Sequence, residues 1–383
     1  MERLSTTPRP GWETTVQNQG LSYYETDGKP YWNESACYVF TRREIDALES
    51  ATYALNEMCL QAVEHIISRG LWERFAVPRA FQSWVRESWE RDERTVYGRF
   101  DLAFDGVNVK MLEYNADTPT GLIEAAVIQW FWLQDVRRST NEDSSERDGW
   151  DQFNTLHERL IEAWQALGQE SNERLYFASI PAEDSDEDFM TVNYLRDTAN
   201  QAGWDTEYIE LQNVGWNPSL GFVDLTERPI ANIFKLYPWE ILLTEQFAKY
   251  LPVARTRWLE APWKMLLSNK AILPLLYELF PDSPYILPAS LSPLGDIYVK
   301  KPLLGREGAN TAIVAYGESV LETEGIYTGP SVYQEYVELP DFNGNYPIIG
   351  SWMVNGYAAG IGIREADTRI TTNKSRFVPH RFT

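Results

Sequence analysis

The stretch Met111–Gly121, "MLEYNADTPTG", carries Glu113 and Asn115 two residues apart in a strand-like run, then breaks into Thr118-Pro119-Thr120-Gly121. Residues two apart on a strand share a face. A carboxylate and an amide on one face, beside a loop, can hold a metal; a solvated sheet edge is the other reading. The preceding run "YGRFD" (97–101) carries a second such pair, Arg99 and Asp101. The two runs read as strands joined at Asp105-Gly106.

Register decides whether the pairs meet. A two-residue loop Asp105-Gly106 sets residue 101 opposite 110 and puts the pairs on opposite faces. A three-residue loop Phe104-Asp105-Gly106, with Gly106 left-handed as a G1 bulge, sets 101 opposite 109 and 99 opposite 111. All four side chains then share a face, so a site built from them requires the bulged loop. On that face Asp101, Glu113 and Asn115 offer hard oxygens suited to Mg²⁺, which usually bridges substrate phosphates. Arg99 can stabilise negative charge beside them. A surface salt-bridge ladder is the alternative.

The 383 residues are enough for a large core and more than one ordinary domain. Hydrophobic residues at 44% and charged residues at 23% describe a folded globular chain. No apolar run of about 18 residues exists, so no membrane span is expected. The N-terminus "MERLSTTPRPGWE" lacks the apolar core of a secretory signal, which leaves the cytoplasm as the expected location. Cys37 and Cys59 are too few for a disulfide framework and lack metal-like spacing. A net charge of −22 disfavours nucleic acid and favours a cationic small molecule such as a polyamine.

Fold class reads as α+β with an α/β insert. Thr41 is a candidate N-cap for a helix over 42–69, with Gly70 as its stop. From "RLYFASI" (174–180) the pattern becomes strand, helix, strand, with "IANIFKL" (230–236) as a third strand, a small parallel βαβ unit. It contains no GxGxxG, and no Walker loop occurs in the chain. A helical run over 264–280 follows, then mostly antiparallel strands, ending in "WMVNGYAAGIGIRE" with a type I′ Asn-Gly turn. "RRSTNEDSSERDGWD" (137–151) reads as an exposed connection. The expected segments are 1–170 with the metal-site hairpin, 171–259 with the βαβ unit, and 260–383 with a nucleotide-binding part.

"GREGAN" (305–310) joins two strands, and its two glycines can fold over phosphates and offer backbone N–H groups. Lys301 just upstream and Lys270 on the helical run can supply ammonium groups; surface lysines are the alternative. "YQEYVELP" (333–340) can present a strand end to an adenine edge, with Gln334 and Glu335 near. His65, His157 and His380 have no partner at suggestive spacing, so a Ser-His-Asp hydrolase is unsupported.

"YGRFD", "EYNAD" with its hydroxyl-rich continuation, "VKKPLLGREGAN", "YQEYV" and "GIGIREADTRITTN" occur in that order. Together with the opening "YWNESACYVFTRREIDALESAT" they resemble the ATP-grasp synthetase domain of the glutathionylspermidine synthase family, from about Trp12 to Arg381. The resemblance implies an ATP-grasp fold with a pre-ATP-grasp unit, and a ligase. ATP phosphorylates a peptide-like acid, an amine attacks the acyl phosphate, and ADP and phosphate leave. It implies Asp101, Glu113 and Asn115 as Mg²⁺ ligands and Arg99 as the group stabilising the acyl phosphate. Lys270, Lys301, Glu307 and Gly308 are implied at the ATP phosphates, Gln334, Glu335, Tyr336 and Val337 at the adenine, and Arg364 at the reacting phosphoryl region. Thr118 and Thr120 are implied to receive the peptide acid. The bifunctional members carry an N-terminal amidase domain; this chain starts at the synthetase part, so no amidase activity is implied. Gly121 stands where the glutathione-using members carry Cys, which removes a thiol and is expected to open the pocket. ATP and Mg²⁺ are therefore implied, glutathione and spermidine themselves are not. A catalytically silent ATP- or polyamine-binding module is the rival expectation.

Overall fold

The computed structural model describes residues 1–26, 28–138, 149–168 and 173–383. Most of the 137–151 connection, and the expected boundary at 170, lie outside the described residues.

The Arg42–Arg69 helix forms where its ends are chemically marked. Thr41 and Glu44 make a reciprocal capping box, and Gly70 closes the other end in the left-handed conformation at φ 65°. Ile45, Leu48, Thr52, Leu55, Cys59, Val63 and Ile66 recur at helical spacing and are buried. That stripe packs on a five-stranded antiparallel sheet, in which Phe100, Leu102, Phe104 and Met111 belong to the same apolar cluster. At the contact the hydroxyls of Thr52 and Ser351 lie 2.6 Å apart.

The order of that sheet is Arg376–Val378, Tyr357–Ala366, Tyr346–Val354, Tyr97–Phe104, Val109–Asn115. Strands from both ends of the chain therefore build one sheet, and Tyr97–Phe104 is buried along its whole length. The C-terminal hairpin turns at Asn355-Gly356, with φ of 50° and 80°, as a type I′ turn requires.

A four-stranded parallel sheet, ordered Arg257–Leu259, Asn232–Lys235, Leu175–Ser179, Thr206–Glu210, carries the expected βαβ unit with the Asp186–Gln201 helix against it. The helical run over 264–280 is broken into three short pieces, Pro262–Lys264, Met265–Ser268 and Ile272–Leu279. A third sheet, five-stranded and antiparallel, holds Ile297–Pro302 at its centre between Ser331–Glu335 and Ala312–Ala315. Of the stretch 333–340 read as a strand end, only residues up to Glu335 stay in the ladder, and residues 336–337 line a cleft instead. Among the described residues no helix is long and apolar enough to cross a membrane, and Cys37 and Cys59 are buried and free.

Candidate active site

The hairpin achieves the shared face by a different device from the one expected. Its loop is four residues long, Asp105–Asn108, between the paired Phe104 and Val109. The Asp105 carboxylate accepts the Val107 and Asn108 N–H groups at 2.8 and 2.6 Å, and Gly106 is left-handed at φ 96°. A loop of that length alone would set Asp101 opposite Leu112. The ladder instead shifts by one between Leu102↔Met111 and Asp101↔Glu113, which leaves Leu112 as a bulge. Arg99 then faces Asn115, Asp101 faces Glu113, and the four side chains meet. The three-residue G1 loop is thus corrected to a four-residue loop plus a bulge inside the strand.

The Tyr357–Ala366 strand, one beyond the neighbouring Tyr346–Val354, adds the second arginine. Asp101 pairs with Gly350, and Ile348 with Arg364. Arg99 grips Asp101 with two N–H groups at 2.7 and 3.2 Å, and Arg364 donates to the same carboxylate at 2.5 Å. Gly350 makes room for this, because a Cβ there would come within 2.9 Å of Arg99 Cδ. Arg99 also donates to the Thr120 carbonyl at 2.5 Å, tying the Thr118–Gly121 loop to the sheet.

Glu113 pairs with Lys270 at 3.0 Å. Burial pushes its carboxyl up, but the charges of Lys270 and Lys301 outweigh that and hold it well below the usual range. Burial pushes the Lys301 ammonium down to about 8 despite Glu113 nearby. Lys270 also donates to the Gly305 carbonyl at 2.5 Å, so it holds the base of the glycine loop. Lys300 is exposed, as a surface lysine.

These residues surround a cleft of 240 Å³ lined by Arg99, Asp101, Glu113, Asn115, Thr118, Thr120, Lys301, Glu307, Gly308, Gln334, Glu335, Tyr336, Val337 and Arg364. Every candidate named from the sequence is there except Lys270, which touches it through Glu113. Leu112, Val299, Ile313, Leu339 and Ile348 give it an apolar wall beside residues 334–337. The glycine loop rests on residues 370–371 of the cleft lining: a Cβ on Gly308, at φ 68°, would lie 2.1 Å from the Thr371 carbonyl oxygen.

Several lining residues had not been singled out. Arg306, inside the quoted "GREGAN", donates to Thr118 at 2.5 Å and to Glu240 at 2.6 Å. The acidic start of the Asp186–Gln201 helix supplies Asp188, and beside it Glu187 bonds Thr120 and faces Arg99, Arg364 and Glu307. Burial, with Glu187 and Glu307 adding to it, pushes Asp188 up to about 7. The run of acids "EDSDED" was a visible signal, but nothing local says that a helix N-terminus 70 residues beyond the hairpin packs on it.

Gly121 does not open the pocket. At φ 78° it turns the loop, and the space a side chain would take is filled by Phe377, whose ring lies 2.9 Å from a Cβ built there. Four residues before Gly121, Asp117 is buried and accepts the Lys235 ammonium at 2.6 Å and the Trp239 N–H at 2.8 Å, fastening the loop to the parallel sheet.

Two features bear on what could be held here. Asn115 donates to both carboxylates, at 3.1 Å to Glu113 and 3.4 Å to Asp101, so its amide sits between them. Two carboxylates and an amide oxygen fit a hard cation, but Arg99, Arg364, Lys270 and Lys301 already face them. Such a set suits Mg²⁺ only together with extra negative charge, as a phosphate would bring. Among the described residues no three His, Cys, Asp or Glu side chains form a metal cluster of their own. Second, four buried polar atoms of the cleft have no partner: Arg306 Nε, Arg364 Nε, Tyr336 Oη and Thr371 Oγ1. Buried donors left unpaired are costly, and a ligand with acceptors would satisfy them.

The family model described as glutathionylspermidine synthase preATP-grasp matches residues 3–383. A Haemophilus influenzae protein with the provisional name acid–amine ligase is 41% identical over the whole of both chains. Trypanothione synthetase of Crithidia fasciculata is 29% identical over 85% of this chain and 53% of its own length. The bifunctional glutathionylspermidine synthetase/amidase of Escherichia coli is 25% identical over 89% of this chain, which spans 58% of that protein. In three dimensions the chain resembles a glutathione synthetase-like effector of Globodera pallida, with a TM-score of 0.59 at 10% identity, covering 97% and 96% of the two chains. That likeness concerns the ATP-grasp type of fold. By the match over residues 3–383 and the 41% identity across two full lengths, the chain belongs to the glutathionylspermidine synthase family.

Proposed function

We propose that the cleft joins a carboxylic acid to an amine at the expense of ATP, through an acyl phosphate, with release of ADP and phosphate. The observation that carries this reading is the pair of arginines, Arg99 and Arg364, converging on one carboxylate beside unpartnered donors. In a chain of net charge −22, the cleft lining balances five cationic side chains (Arg99, Lys301, Arg306, Arg364, Arg369) against five acidic ones (Asp101, Glu113, Asp188, Glu307, Glu335). That is where a polyanion is tolerated. The names of the relatives, synthetases and an acid–amine ligase, support the same reaction class.

In this reading residues 335–337 and the apolar wall take the adenine, and Lys270 and Lys301 meet the phosphates under the Glu307-Gly308 lid. Asp101, Glu113 and Asn115 hold Mg²⁺, which neutralises phosphate charge when bound. Arg99 and Arg364 stabilise charge on the phosphoryl and on the tetrahedral adduct. Thr118 and Thr120 orient the acid, a peptide-like one. Glu187, Asp188 and Glu307 gather the amine as a cation, and a carboxylate poised near neutrality, as Asp188 is, can accept the proton the amine must lose before attack.

The experiment is to supply ATP and Mg²⁺ with a panel of peptide acids and to trap the acyl phosphate with hydroxylamine. Hydroxamate formed together with ADP is the expected result. ATP bound with neither hydroxamate nor ADP release from any acid would instead establish a silent nucleotide-binding module.

A further inference from the structure

The bulge at Leu112 is held from outside its own sheet. Val109–Asn115 is an edge strand, so its outward N–H and C=O groups need partners from elsewhere. The Met111 N–H donates to the Tyr285 carbonyl at 2.9 Å. The Met111 carbonyl accepts the Gln334 amide N–H at 3.0 Å, and the Leu112 carbonyl accepts the Lys301 ammonium at 3.0 Å. Lys301 donates in turn to the Gln334 amide oxygen at 2.8 Å, which closes a ring of bonds between the two sheets. Lys301 pairs with Val332 across the third sheet, so Lys301 and Gln334 stand on one face, and both are buried, at 8% and 2% exposure.

From this ring we infer that Gln334 is a positioning residue for the Glu113–Asn115 pair rather than a reader of the nucleotide base. Each end of its amide already holds one partner, which ties its orientation to the ring rather than to a base. What it holds is the carbonyl next to the bulge, and the bulge is the one-residue shift that keeps Glu113 and Asn115 on the face of Asp101. The ring also links the nucleotide side to the hairpin: any phosphate that draws Lys301 away must break its bond to Leu112. This inference rests on the proposed reading of the cleft only for its kinetic test, not for its structural one.

The test compares Gln334→Leu, which removes both bonds at similar volume, with Gln334→Glu, which keeps the acceptor for Lys301 and loses the donor. Amide hydrogen exchange of residues 109–115 is read on the nucleotide-free protein, with the Tyr346–Val354 strand as the internal reference for intact folding. Positioning predicts exchange at least about tenfold faster in the hairpin and unchanged in the reference strand, for both variants. It further predicts that the Mg²⁺ concentration for half-maximal ATP turnover rises by about 10- to 100-fold, the range for groups that orient metal ligands, while KM for ATP at saturating Mg²⁺ moves less than about threefold. Unchanged hairpin exchange with KM for ATP raised and the Mg²⁺ requirement unmoved would overturn the inference in favour of direct base contact. Because exchange needs no turnover, a failure of the ligase reading leaves this result legible by itself.

Discussion

Glu124 lies just beyond the Thr118–Gly121 loop, at the first residue of the Glu124–Ile128 turn, and is fully buried. Its Oε1 accepts the Tyr31 and Tyr23 hydroxyls at 2.8 and 3.2 Å, and its Oε2 has no partner. Burial, with Glu187 adding to it, pushes this carboxyl up from 4.5 to about 7. A group whose pKa is raised on folding contributes stability that is fully present below 4.5 and is lost as pH rises through 7. At about 1.4 kcal/mol per unit, ionising Glu124 costs about 3 kcal/mol at pH 8 and about 1 kcal/mol at pH 5. Glu124→Gln mimics the protonated form, keeping the acceptor for both tyrosines. It is therefore expected to be more stable than wild type by an amount that grows by about 2 kcal/mol between pH 5 and pH 8. For a chain of 383 residues melting as one unit, 2 kcal/mol corresponds to about 2–3 °C in melting temperature. Calorimetric melts of both proteins at pH 5, 6, 7 and 8, without nucleotide, measure it. A difference in melting temperature that stays flat over that range refutes the raised pKa and the buried, partner-poor environment it rests on.

Glu113→Gln is expected to lower ATP turnover by at least about 100-fold. Saturating MgATP, worth about 2.7 kcal/mol at 100 times its Kd, should raise the melting temperature of wild type only; equal ligand shifts in both proteins would remove Glu113 from the metal site. Asp101→Asn is expected to destabilise by about 3–5 kcal/mol besides abolishing turnover, because it leaves the buried Arg99 and the half-buried Arg364 without their shared carboxylate; a melting temperature at the wild-type value would show that the carboxylate is solvated. Gly308→Ala forces a Cβ into the Thr371 carbonyl at a left-handed position, so kcat/KM for ATP should fall by about tenfold or more while the melting temperature changes little, and unchanged kinetics would mean that the loop does not close on the nucleotide. The same loop, residues 305–310, should be protected from proteolysis by a non-hydrolysable ATP analogue, and equal cleavage with and without it would count against a lid.

Local chemistry was legible wherever neighbours in sequence are neighbours in space. The capping box at Thr41 and Glu44, the Gly70 stop, the Asn355-Gly356 turn and the alternation of the βαβ strands all follow from contacts within a few residues. The ordered motifs likewise marked fourteen of the residues that line the cleft. What spacing alone left open was the face on which Glu113 and Asn115 stand. Period-two patterning looks the same in either register, and the bulge at Leu112 is held by Lys301 and Gln334, whose bonds to the hairpin span 189 and 223 residues, as well as by the loop. The same holds for Arg364 on Asp101, for Glu187 on Thr120, and for the Phe377 ring in the space beside Gly121. Each depends on which strand lies beside which. Only the folded chain decides that, because long-range pairing is selected by the burial of whole faces rather than by the residues at the point of contact.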